Sequence, residues 1–165
     1  MRFALSAILW SSTCLGCATA RYDGMPYDAA GMTYCDAVTG RIRSVIDAQL
    51  LLVDSAGGIH TIPALAEILV HERVHRIQLE ARRPSPGACP KAYRVPELVQ
   101  SELEAHCAGY GMAITEGMNP DSVAHRYAKV LEHHLGKFLA SPVREFLAER
   151  WPAVCPGRPL AWDWP

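Results

Sequence analysis

The segment His71-Glu72-Arg73-Val74-His75 carries the strongest chemical signal in this 165-residue chain. On a helix, two histidines four residues apart share one face, so both imidazoles reach a single Zn2+ at about 2.0 to 2.1 Å. Glu72 is offset by about 100° from His71, which brings its carboxylate to a metal-bound water and leaves the ligand positions to the histidines. Seven His and ten Glu in the chain give an expected chance count of about 0.02 for this pattern.

A catalytic zinc takes three protein ligands and leaves its fourth position to water. The segment Ser101-Glu102-Leu103-Glu104-Ala105-His106 supplies candidates, with Glu102 standing 27 residues after His75. That gap accommodates a loop and a helical return. Glu102 and Glu104 point about 200° apart on a helix, so only one faces the metal. His106 follows Glu102 by one turn and Tyr110 by two, a polar stripe that makes Glu102 the expected ligand and Glu104 the alternative. His106, Tyr110, His125 and Tyr127 are candidate donors to an oxyanion by their chemistry, and no spacing selects among them. His133-His134 is expected on a solvated face, with a second metal site as the alternative, because adjacent helical residues diverge by about 100°.

The elements that must position these groups follow from periodicity and from Gly and Pro. Between Pro63 and Arg83 apolar residues recur at Leu65, Ile68, Leu69, Val74 and Ile77, and Pro84 supplies a stop, which predicts a helix of about five turns. Residues 84–90 hold three prolines and form a loop. A second helix is expected from Pro96-Glu97 to Glu116, where Gly109 and Gly111 allow another helix to approach closely. Asn119-Pro120-Asp121 caps a third helix from Ser122 to Leu139, and Ser141-Pro142 opens a fourth to Arg150. Upstream, residues 21–40 read as an irregular lead-in pinned by Cys35. Arg41 to Val53 fits one or two strands before the turn Asp54–Gly58, and Ile59 to Ile62 fits a short one. The Pro- and Trp-rich tail from Trp151 is expected to run extended with its rings on the body. The expected fold is α+β and mainly helical, with about four helices, a small N-terminal β-sheet and disulfide staples.

Residues 1–20 have the layout of a signal peptide: Arg2, an apolar run from Phe3 to Trp10, and Ala18-Thr19-Ala20 before Arg21. Gly16-Cys17-Ala18-Thr19 equally resembles the end of a bacterial lipoprotein signal, in which Cys17 becomes lipidated; Cys14 stands where Leu is usual. Both readings imply export, to the periplasm or the extracellular space, with lipidation of Cys17 as the one route to a membrane. The remaining residues 21–165 form one domain. Export leaves Cys35, Cys89, Cys107 and Cys155, an even number that predicts two disulfides with three pairings open. A net charge of −1 and the lack of a basic block argue against a nucleic-acid partner.

The helix carrying His71-Glu72-x-x-His75, followed by Glu102-Leu103-Glu104-Ala105, resembles the gluzincin clan of zinc metallopeptidases, above all its small members, the minigluzincins. The resemblance spans about residues 60 to 118. The pattern through Gln78 is similar to small bacterial domains with a downstream E-x-E-A segment. The chain departs from the clan in two places. His106 stands where thermolysin-like relatives carry an Asp behind the first zinc histidine, and Arg73 and Arg76 occupy positions that are usually uncharged. The resemblance implies one Zn2+ held by His71, His75 and Glu102, Glu72 as general base and acid, and a peptide or protein substrate paired with the edge of a strand within 50–54 or 59–62. The alternative expectation is an exported zinc-binding lipoprotein or interaction module that keeps the metal without turnover.

Overall fold

The computed structural model describes residues 31–46, 51–53, 59–61, 64–139 and 142–162. The leader, the first part of the lead-in, the Asp54–Gly58 turn and Pro63 lie outside them. Among the described residues, four strands and four helices follow in order: β1 (Gly31–Cys35), β2 (Ile42–Ile46), β3 (Leu51–Val53), β4 (Ile59–Thr61), α1 (Ala64–Ala81), α2 (Val95–Thr115), α3 (Pro120–Leu135) and α4 (Val143–Val154). The fold is α+β, mainly helical and stapled by two disulfides.

The strands make two separate antiparallel pairs, β1–β2 and β3–β4. β1 corrects the reading of residues 21–40 as wholly irregular: Gly31 pairs with Ile46 and Cys35 with Ile42. The composition hid this strand because its only strong β-formers are Thr33 and Tyr34, and its partner is reached through a tight turn. In that turn Asp36 Oδ1 accepts from the backbone of Val38 at 3.0 Å and of Thr39 at 3.1 Å. Gly40 closes it at a φ of +63°, and a Cβ there would strike the carbonyl of Gly87. The hairpin and the α1–α2 loop thus meet backbone to backbone, beside the Cys35–Cys89 disulfide.

Helix starts follow local chemistry. Pro96 sits in the first turn of α2, where Glu97 accepts from the Arg94 backbone at 3.1 Å. Asn119 Oδ1 caps α3 by accepting from Asp121 at 3.0 Å and Ser122 at 3.1 Å. α3 ends at Leu135, four residues short of expectation, with Gly136 as its C-cap. α4 runs past Arg150 to Val154 and takes in Pro152, so the first residues of the tail are helical and not extended. Pro152 lacks the N–H that would bond the Ala148 carbonyl, and the helix ends within two residues of it at Val154.

The apolar core lies among α2, α3 and α4, built from Val99, Leu103, Tyr110, Leu131, Leu147 and Trp151 and closed by the Cys107–Cys155 disulfide. Gly109 works as expected, since a Cβ there would come 2.7 Å from Tyr127 Oη of α3; at Gly111 the close neighbour is instead the Arg158 guanidinium of the tail. α1 stands outside this core and packs against α2 and against the β1–β2 hairpin. Its expected apolar face is partly misread, since Leu69 is 51% and Ile77 59% exposed. The residues α1 buries include two carboxylates, Glu67 and Glu72.

Candidate metal centre

His71 and His75 project from the third and fourth turns of α1 toward α2, where Glu102 is about nine-tenths buried. His71 Nε2 and His75 Nε2 are 3.0 Å apart, and Glu102 Oε2 is 3.7 Å from the first and 3.5 Å from the second. A tetrahedral ion bonded at about 2.0 to 2.1 Å spaces its ligand atoms about 3.3 to 3.4 Å apart, so the three atoms fit around one ion. Among the described residues Glu102 Oε2 has no hydrogen-bond donor although it is buried. A buried carboxylate oxygen left in that state is costly, and a cation compensates it. The cluster could hold a metal ion.

The histidine tautomer is set from behind. His75 Nδ1 lies 3.0 Å from Gln78 Oε1, an acceptor that leaves Nε2 free to face the centre. Gln78 is itself fixed by Ser101 Oγ at 2.6 Å and by donating to Glu104 Oε2 at 2.8 Å. Glu104 therefore does not face the centre; it steadies the residue that orients His75. Burial drives His71 well below its ordinary 6.5 and takes His106 down to about 3, so both rings are neutral and keep a free lone pair. Burial also pushes His75 down, but the Glu102 carboxylate 3.5 Å away, with the Glu72 charge and the Gln78 bond adding to it, outweighs this and holds it raised. Glu102 shows the converse: burial raises it, and His75 more than reverses the effect.

Glu72 leaves α1 on a different side. Its side chain lies against Gly31 of the hairpin, and Thr33 Oγ1 donates to its Oε2 at 2.7 Å. Burial raises its carboxyl above the ordinary value, against the Thr33 bond. A Cβ at position 31 would sit 2.9 Å from Glu72 Cγ, so glycine there gives the carboxylate its room. An open groove beside it is lined by Ser44, Ile46, Leu69, Glu72, Arg73 and Ile77.

Compared with protein-family models, curated proteins and solved structures, the chain finds no match. Its site is therefore read from geometry.

Several expectations change. His134 is not merely on a solvated face: its Nδ1 lies 3.2 Å from His106 Nε2 and 3.8 Å from Glu102 Oε2. His106 stands beside the same oxygen at 4.0 Å. Tyr110 is turned away, donating to the Pro159 carbonyl at 3.1 Å among core rings. Tyr127 donates to Glu67 Oε2 at 2.7 Å, where Arg126 also binds at 2.8 Å, so its hydroxyl is committed. Strands β3 and β4 pair with each other, and it is β1 and β2 that pack on α1. Thr33, Ser101 and Glu67 do not emerge as site residues from sequence, and His134 emerges only within the alternative to a solvated face. Glu67 alone carried a signal, since it precedes His71 by one turn on the same helix face.

Proposed function

We propose that this chain is a zinc-dependent peptidase in which His71, His75 and Glu102 hold one Zn2+ and Glu72 is the general base. The spacing of the three ligand atoms around a buried carboxylate oxygen without a donor supports this reading above all else. When bound, zinc polarises a scissile carbonyl and lowers the pKa of its water. Glu72 has the part of accepting that water's proton at its carboxylate and passing it to the leaving amine. Its raised pKa, caused by burial, brings it closer to the range in which a carboxylate can do both. Thr33 fixes the carboxylate's orientation, and Gln78 with Ser101 fixes that of His75. A peptide entering the groove between β2 and α1 would pass directly over Glu72. The likeness of His71 to His75 and of Glu102 to Ala105 to the gluzincin pattern supports the same chemistry, and the two disulfides support action in an oxidising compartment after export.

A second reading, a metal-binding module without turnover, is favoured by the bond from Thr33 that occupies one Glu72 oxygen. One comparison separates the two. In a peptidase assay on zinc-loaded full chain, Glu72→Gln is expected to lose about 10²- to 10⁴-fold in activity at unchanged zinc content. Activity equal to wild type would remove Glu72 from the mechanism, and no activity in either protein would favour the module.

A further inference from the structure

We propose that Glu102 bridges two cations, and that His106 and His134 form a second site for a zinc-class divalent ion beside the first. The proposal rests on the metal reading of His71, His75 and Glu102 and needs no hydrolysis. Four imidazole nitrogens surround Glu102 Oε2, at 3.5 Å for His75, 3.7 Å for His71, 3.8 Å for His134 and 4.0 Å for His106. All lie beyond the usual N–H···O length of about 2.7 to 3.2 Å, and the oxygen is buried without a donor. They do not fuse into one cluster: His71, His75 and Glu102 form one compact triad, and Glu102, His106 and His134 another, with Glu102 the only shared member. One ion serving the first pair leaves the second pair aimed at the same oxygen.

The second triad has the makings of a site. His106 Nε2 and His134 Nδ1 are 3.2 Å apart, and each is within about 0.7 Å of the spacing to Glu102 that a tetrahedral ion would set. Two imidazoles and one carboxylate suit Zn2+, Co2+ or Ni2+ better than Mg2+ or Ca2+. Glu102 and His106 are one turn apart on α2, while His134 comes from the last turn of α3, where the helix dipole favours a cation. The His134 side chain is 34% exposed, which gives the ion a way in and the ring freedom to close on it. A shared carboxylate typically holds two ions about 3.5 to 4 Å apart.

The test is metal stoichiometry of the oxidised full chain, stripped with a chelator and dialysed against Zn2+. Wild type should retain two equivalents, His134→Ala one, and Glu102→Ala none. One equivalent in wild type, or two in His134→Ala, overturns the second site and leaves His106 and His134 as a hydrogen-bonded pair. Should His134→Ala fail to fold by circular dichroism, Co2+-loaded wild type decides: two ions on one carboxylate couple magnetically, and uncoupled ions overturn the proposal. One zinc with Glu72-dependent hydrolysis would remove the second site and keep the peptidase. Two zincs without hydrolysis would do the reverse.

Discussion

The two faces of α2 solve opposite problems. Toward α3 and α4 it presents Val99, Leu103, Tyr110 and Ala113 to a core from which water is excluded. Toward α1 it presents Ser101 and Glu102, which meet histidines and a glutamine. The first face stabilises by removing apolar area from water, at about 25 cal/mol per Å2. The second buries an ionised oxygen that no donor reaches, and so leaves stability to be gained from a ligand. A small domain can carry so polar a seam because the apolar core stands apart from it and a disulfide closes that core.

That contrast can be broken from either side. Trp151 is almost fully buried and its indole N–H donates to the Arg158 carbonyl, so Trp151→Ala should cost about 3 to 5 kcal/mol in denaturant unfolding. The loss should be the same with and without zinc. The seam should behave in the other way: free zinc at about 100 times its Kd should stabilise wild type by about 2.7 kcal/mol per bound ion over chelated protein. Glu102→Ala should show no such difference, and a shift equal to wild type would place the stabilising ion elsewhere. Gly109 lies where the two regions meet, its missing Cβ leaving room for Tyr127 Oη, and Gly109→Ala should cost about 1 to 3 kcal/mol.

The smallest effect concerns pH. Asp36 is held below its ordinary 3.8, first by the backbone N–H of Thr39, with Val38 and Arg43 adding to it. A depressed carboxylate contributes stability above its unfolded pKa and loses it as pH falls through the folded value. Below about pH 4 wild type should therefore lose stability faster than Asp36→Ala, read as unfolding midpoints from about pH 6 to about pH 2. Parallel curves would exclude a contribution from the turn.

How legible each region was follows from the same contrast. The core helices were readable because apolar residues repeat with the helical period and Pro or Asn marks their starts, as at Pro96 and Asn119. On α1 the rule misplaced Leu69 and Ile77, since that helix buries carboxylates that pair with side chains distant in sequence. Glu67 meets Arg126 and Tyr127, and Glu72 meets Thr33. Ligands on one helix were visible from spacing. His134, 28 residues beyond His106, was not, because only the packing of α3 on α2 brings it there. β1 escaped because a five-residue hairpin strand opening on Gly has little periodicity to show.

The Cys35–Cys89 bond joins the end of β1 to the loop after α1, and so closes a span of 54 residues that contains the helix and ties the loop at its C-terminal end to the β1–β2 hairpin. If α1 frays or opens locally, the loop at its C-terminal end stays tied to the hairpin on which it packs, and His71 and His75 remain near Glu102 at a high effective concentration. Reassembly of the ligand set is then an intramolecular closure on the timescale of loop contact, not a refolding of the domain. Reduction of that one bond would turn a brief local opening into a path by which the centre comes apart while the apolar core stays folded.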